Sequence, residues 1–302
     1  MTVAEAERLL RSRVGERLRT AFPLAPLTSF RLGGPAALYL EANGLDDLVA
    51  AAEAVRTTGV PFLVIGKGSN ILVADEGFAG LVVRLGRSFR WAARDGDRLS
   101  AGGAMPLPAL AGVALSHGLS GLEFGVAIPA SLGGSVRMNA GAHGHSLDEV
   151  VETVDVFGLG DAQVHAVPAE DAGFRYRGSG FAGEAVVIAA TLLLHPADPG
   201  DIRAHMDEAR DWRRATQPLA EPNCGSVFKN PDRDHAARLI EAIGGKQLSV
   251  GGARVSEKHA NFIVADPGAT AADVRLLIQM LRERVRERFE VELEPEVRFV
   301  GA

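Results

Sequence analysis

Two glycine-rich stretches constrain this chain more than any other feature. The first, Gly66-Lys67-Gly68-Ser69-Asn70, stands where a short apolar run over 60–65 ends. The second covers 121–144 and is built largely of small residues, among them Gly133, Gly134, Ser135, Ala140, Gly141 and Ala142. Glycine serves where backbone must turn with positive φ or come close to another group. Such clustering points to a bound cofactor more than to a flexible linker. In the first stretch, Gly66 and Gly68 let consecutive N–H groups converge on an anion such as a pyrophosphate. Ser69 and Asn70 add side-chain donors. A plain β-turn with an asparagine in the left-handed region accounts for the same five residues equally well. In the second stretch the lean backbone lets a large flat ligand lie against it. There Pro129 fixes the approach, and Asn139 can bond backbone or a ligand carbonyl.

Several other chemistries are excluded by spacing. A dinucleotide fingerprint needs a third glycine where Ile71 stands. A P-loop needs Ser or Thr after its lysine and a glycine five residues before Gly66; the chain has Gly68 and Pro61 there. His143 and His145 lie two apart with no third ligand at a recognisable spacing, so no metal site is expected. A net charge of −6 argues against general nucleic-acid binding, although a local group of cations can still dominate one pocket. The one cysteine, Cys224, can form no internal disulfide and no thiolate metal site, which fits a reducing, cytoplasmic setting. No uncharged apolar run of about 20 residues exists, so no membrane span is expected, and residues 1–22 lack the apolar core of a signal peptide.

The periodicities predict a helix over 3–21, a strand and turn over 27–36, a helix over 45–58 ended by Gly59, and a buried strand over 60–65. Strands follow at 81–85 and 91–101, with turns at Gly86 and at Asp95-Gly96. A helix over 107–117 stops at Gly118. Residues 150–194 alternate and are β-branched, which predicts an antiparallel second unit. After a Pro- and Gly-marked linker at 195–200 come helices over 201–215, 235–243 and 270–289, with Thr270 as N-cap. Strands are expected near 261–265 and over 291–300.

Taken in order, the motifs resemble those of the UDP-N-acetylenolpyruvoylglucosamine reductases. The two glycine-rich stretches look like that family's FAD-binding sequences. The other matching pieces are residues 30–36, Tyr176-Arg177-Gly178-Ser179, 217–219, Gly225-Ser226-Val227-Phe228-Lys229-Asn230-Pro231, 251–262 and Leu293-Glu294-Pro295-Glu296-Val297. The resemblance implies an α+β fold with a vanillyl-alcohol-oxidase-like (PCMH-type) FAD-binding domain of two subdomains, 1–85 and 86–197. A C-terminal α/β substrate-binding domain, 198–302, would return its last strand to the active site. It further implies FAD and NADPH as cofactors and UDP-N-acetylglucosamine enolpyruvate as substrate, in a cytoplasmic monomer that binds neither nucleic acid nor membrane. FAD would contact Gly66, Lys67, Gly68, Ser69, Asn70, Ile128, Pro129, Gly133, Gly134, Asn139 and Gly141.

By the same likeness Arg177, Ser226 and Glu296 are catalytic. Arg177 would grip the enolpyruvyl carboxylate, a task suited to a permanently charged, bidentate donor. Ser226 would be the general acid; it lacks the flanking glycines of a nucleophile elbow. Tyr176, Arg214, Lys229, Asn230 and His259 would bind substrate, with Arg213 a further candidate for the diphosphate. Arg213 and Arg214 read equally well as the basic last turn of a helix. Only 49 positions separate Arg177 from Ser226, as in the family's shorter form without the inserted tyrosine loop. Ala130, Ser131 and His143 depart from the usual pattern. An oxidase on the same fold, with FAD tethered through a residue such as His143, is the competing enzyme reading.

Overall fold

A computed structural model describes residues 2–181, 183 and 185–301. The chain forms two compact units. One comprises Met1–Phe22, Ala37–Lys67 and Ala79–Trp212; the other comprises Pro23–Ala36, Gly68–Phe78 and Arg213–Ala302.

The first unit holds two larger sheets and, among the described residues, two short two-stranded ones, Gly141–Ala142 with His145–Ser146 and Leu119–Ser120 with His195–Pro196. The four-stranded sheet has the order Arg19–Pro23, Pro35–Ala42, Phe78–Leu85, Phe62–Val64. Phe62–Val64 pairs in parallel with Phe78–Leu85, and in the chain the helix Leu45–Thr58 stands between the strands Pro35–Ala42 and Phe62–Val64. That helix buries Leu48 and the alanines 50, 51, 52 and 54. It stops at Gly59, which takes the left-handed conformation (φ 67°) and donates its N–H to Val55 O. In its first turn, Asp47 accepts the N–H of Asn43 and both arms of the Arg17 guanidinium, the latter at 2.5 and 2.7 Å.

The five-stranded sheet has the order Val164–Pro168, Val151–Gly158, Ala185–Leu193, Arg98–Gly102, Ala92–Asp95, and every neighbour is antiparallel. Its central strand is almost wholly apolar because both faces are covered. The hairpin closing at Asp95-Gly96, the helix Leu107–Ser116 and the left-handed Gly118 (φ 63°) agree with the sequence reading.

The second unit packs the helices Ala236–Ala242 and Ala271–Phe289 with the small antiparallel sheet Ser249–Val250, Ala253–Val255, Ile263–Ala265. Phe30 and Leu72, from early in the chain, share its core with Val227, Phe228, Leu277 and Leu281. The strand Ile71–Val73 runs parallel to Arg298–Val300.

Three expectations are corrected. The first helix ends at Val14, because Gly15 takes φ 59°, and residues 19–23 form a strand. Residues 27–32 form no strand; a 3-10 turn over Ala25–Leu27 leads to Arg31 at φ 57°. The last strand is Arg298–Val300 alone: Glu290 turns left-handed after the long helix (φ 58°), and Pro295 has no N–H to give a ladder.

Candidate active site

A cavity of about 450 Å³ lies within the first unit. One side is the end of the strand Phe62–Val64 with Gly66 and Lys67; another is Ser131, Gly133 and Gly134. The wall is bare because no side chain fits. A Cβ on Gly66 would come within 2.4 Å of Ser131 Oγ, and one on Gly133 or Gly103 within 2.8 or 2.4 Å of Val187 O. Lys67, Arg84, Arg87, Arg90 and Arg137 also line it, against one acid, Glu41. In a chain of net charge −6, that grouping makes the cavity locally positive. Bare backbone beside a concentration of guanidinium groups fits a ligand carrying phosphates. The sequence reading found Gly66, Lys67, Gly133 and Gly134 but missed Ser131 and the arginines. Arg84, Arg87 and Arg90 recur every third residue, a signal visible beforehand that reads in isolation as surface charge.

Other cofactor candidates lie elsewhere. Gly68 (φ 61°) is glycine because a Cβ there would meet Leu27 O at 2.1 Å, and its carbonyl accepts the N–H of Ser29. Ser69 sits in the turn that follows, and Asn70 donates its amide to the carbonyl of Glu296 at 3.1 Å. Ile128 and Pro129 lead into a corner where Leu107 N–H donates to Ala130 O. Asn139 is 2% exposed and joined to backbone at both ends of its amide: Nδ2 donates to Arg175 O at 3.2 Å, and Oδ1 accepts from Asp148 N at 3.0 Å.

Tyr176 and Arg177 form the tip of a tight turn closed by two backbone bonds between Arg175 and Gly178, each 3.0 Å. Arg177 takes φ 53°, donates from Nη2 to Gly141 O at 3.0 Å, and holds its guanidinium 5.0 Å from the centre of the exposed Tyr176 ring. His143, at φ 54° two residues beyond Gly141, meets Trp212 edge-on at 5.0 Å.

In the second unit the segments around Ser226 and Glu296 run side by side. Glu296 N–H donates to Val227 O at 2.7 Å, and Phe228 bridges Pro295. Gly225 (φ 80°) turns the chain into this pairing. Buried Asn261 fixes it, donating to Phe228 O at 2.8 Å and accepting from Phe228 N at 3.0 Å. Asn261 lies in the quoted 251–262 motif, yet its role appears only once the chain is folded. Lys229 pairs with Glu294 at 2.6 Å. Asn230 accepts Ala236 N–H at 3.1 Å, at the start of the helix Ala236–Ala242. Arg214 accepts Lys258 Nζ on its carbonyl at 2.6 Å. Arg213 binds Gln217 at 3.0 Å, and burial lowers its pKa. Burial likewise holds His259 below the usual imidazole value, and its Nδ1 accepts Asn261 N–H at 3.2 Å. Burial, with the Glu296 carboxylate adding to it, pushes the Cys224 thiol far above its ordinary value, so it stays a protonated packing group. Among the described residues no group of His, Cys, Asp and Glu could hold a metal ion, and no helix is long and apolar enough to cross a membrane.

Apart from Ala185 and Val187, the residues lining the cavity fall inside a match to the family model described as FAD binding domain, over residues 36–167. Fold and cavity together define a flavoprotein of the FAD-binding α+β class. Residues 217–300 match the model described as UDP-N-acetylenolpyruvoylglucosamine reductase, C-terminal domain. The reductase of that name from Anaeromyxobacter sp. (strain Fw109-5) is 45% identical, over 99% of this chain and 92% of the relative. The crystal structure of UDP-N-acetylenolpyruvylglucosamine reductase from Thermus caldophilus superposes with a TM-score of 0.81 at 34% identity, covering 94% of this chain and 100% of that one. The chain belongs to the UDP-N-acetylenolpyruvoylglucosamine reductase family. Phl p 4.0202, a glucose dehydrogenase, matches at a TM-score of 0.50 and 14% identity over 71% of this chain and 51% of that one, a likeness of fold alone. The expected α+β fold with a PCMH-type FAD-binding domain is borne out.

Proposed function

We propose that this protein reduces UDP-N-acetylglucosamine enolpyruvate to UDP-N-acetylmuramate with NADPH, through FAD, in peptidoglycan precursor synthesis. The observation that carries the reading is the positive, glycine-walled cavity inside the FAD binding domain of a chain that aligns almost end to end with named reductases. Gly66, Lys67, Gly133 and Gly134 would hold FAD in the cavity, and FAD would supply the hydride chemistry that links NADPH to C3 of the enolpyruvyl group. The chain's own residues manage charge and protons. Arg177 holds the substrate carboxylate, into which negative charge spreads as C2 gains electrons. Ser226 gives its hydroxyl proton to C2. Glu296 assists when protonated or bridged by hydrogen bonds, because a bare carboxylate would repel the developing charge.

Tyr176, Arg214, Lys229, Asn230 and His259 contribute to substrate binding in this reading. The segments 1–85 and 86–197 serve as two FAD-binding subdomains and 198–302 as the substrate domain, in a cytoplasmic monomer. The test is anaerobic stopped-flow absorbance in the flavin band, with NADPH added first and the enolpyruvyl sugar second. The reading expects bleaching and then recovery of the oxidised band. Bleaching without recovery points to another electron acceptor, rapid peroxide formation in air points to an oxidase, and absence of any flavin band removes the reading altogether.

A further inference from the structure

We propose that Asn139 is a positioning residue for Arg177, acting through the turn that carries it; the inference rests on the role given to Arg177 above. An arginine in the left-handed region persists only where its surroundings over-determine it. Here the surroundings are the second glycine-rich stretch. Three alternate residues of that stretch each take hold of the turn. Arg137 O accepts from Ser179 Oγ at 2.8 Å, Asn139 Nδ2 donates to Arg175 O at 3.2 Å, and Gly141 O accepts from Arg177 Nη2 at 3.0 Å. Within the turn, Arg175 Nη1 donates to Ser179 O at 2.8 Å.

Asn139 is the anchor of the three. It is itself left-handed (φ 41°), buried, and tied on its other side to Asp148 N–H. The stretch therefore fixes where Arg177 starts and which way its guanidinium leaves before any substrate arrives. A carboxylate-binding arginine held in this way loses little freedom on engagement, which is the source of its effect on rate. The lean sequence around Asn139 thus has a second purpose besides accommodating a flat ligand.

The test is a double-mutant cycle on the substrate-driven recovery of the reduced flavin, using Asn139→Ala, Arg177→Ala and the pair. Asn139→Ala should slow recovery about tenfold or more, in line with lost orientation. It should slow it no further when Arg177 is already absent, because coupled residues are not additive. Ser179→Ala, which removes only the Arg137 bond, should show a smaller loss with the same dependence on Arg177, and it carries the cycle if Asn139→Ala does not fold. Flavin content measured after gel filtration should match that of the unaltered protein. Additive losses, an unchanged recovery rate, or loss of bound FAD from Asn139→Ala would each overturn the proposal. Recovery at the normal rate in Arg177→Ala alone would instead remove the role given to Arg177, and with it the premise.

Discussion

A serine hydroxyl is a feeble acid in water, so Ser226 can act as one only toward a strongly basic carbon. Proton transfer of this kind contributes about 10²–10⁴-fold. Ser226→Ala should therefore keep NADPH-driven bleaching and slow substrate-driven recovery by that factor, as read by stopped-flow absorbance. Equal slowing of both steps would point to a general disturbance of the Val227–Glu296 pairing. His259 makes a different kind of prediction. Its folded pKa lies below that of a free imidazole, because burial disfavours the charged ring. The unfolded chain thus binds this proton more readily. The stability it contributes is complete above the unfolded value of about 6.5 and is lost as pH falls through its lower folded value. His259→Asn, which keeps an acceptor for Asn261 N–H, should lose less stability between pH 7 and pH 5 than the unaltered protein, measured as the shift of the urea midpoint.

At the scale of elements, the long helix Ala271–Phe289 is held at its N-terminus by residues near and far. Thr270 and Asp273 form a capping box. Asp75, 196 positions before Ala271, accepts the N–H groups of Ala271 and Ala272 at 2.8 and 3.0 Å. Asp75→Ala should cost about 1 kcal/mol, seen as a lower urea midpoint with an unchanged slope. This helix also shows what the sequence does and does not reveal. Thr270 was legible as an N-cap because capping is local, and the same holds for Gly59, Gly118 and the Asp95-Gly96 hairpin; the reciprocal bond to Asp273 emerged only with the structure. Asp75 was not, because only the folded chain brings it near. The strand expected over 291–300 shrank to three residues for a similar reason: alternation suggested a ladder, but Glu290 and Pro295 set a different path. In the candidate site, glycines announced a close approach without saying to what. Gly66 and Gly133 face the cavity, Gly68 avoids Leu27, and Asn139 joins two backbone segments.

For the whole molecule, cofactor and fold are linked. A ligand that binds only the folded state adds about 2.7 kcal/mol at a hundred times its dissociation constant. FAD should therefore raise the melting temperature in a concentration-dependent way. Arg87 and Arg90 are exposed members of the cavity lining, so Arg87→Gln with Arg90→Gln should leave the fold intact. The double variant should weaken FAD binding about tenfold and flatten its salt dependence, since the removed attraction is screened over roughly 10 Å at 0.1 M salt. Flavin fluorescence titrated at two ionic strengths would show this. Affinity equal to that of the unaltered protein would leave the cavity's charge without a role in holding the dinucleotide.

The second unit is assembled from three separated stretches of chain, and its strand Ile71–Val73 finds its parallel partner only at Arg298–Val300. On a ribosome adding roughly 5–20 residues per second, that strand emerges some ten seconds or more before the residues it must pair with exist. Phe30 and Leu72, which end in the same core, wait as long. The apolar pieces emerging early are thus exposed throughout most of synthesis. The period of greatest aggregation risk for this protein lies before its last strand is made, and any slowing of translation beyond residue 78 should lengthen it.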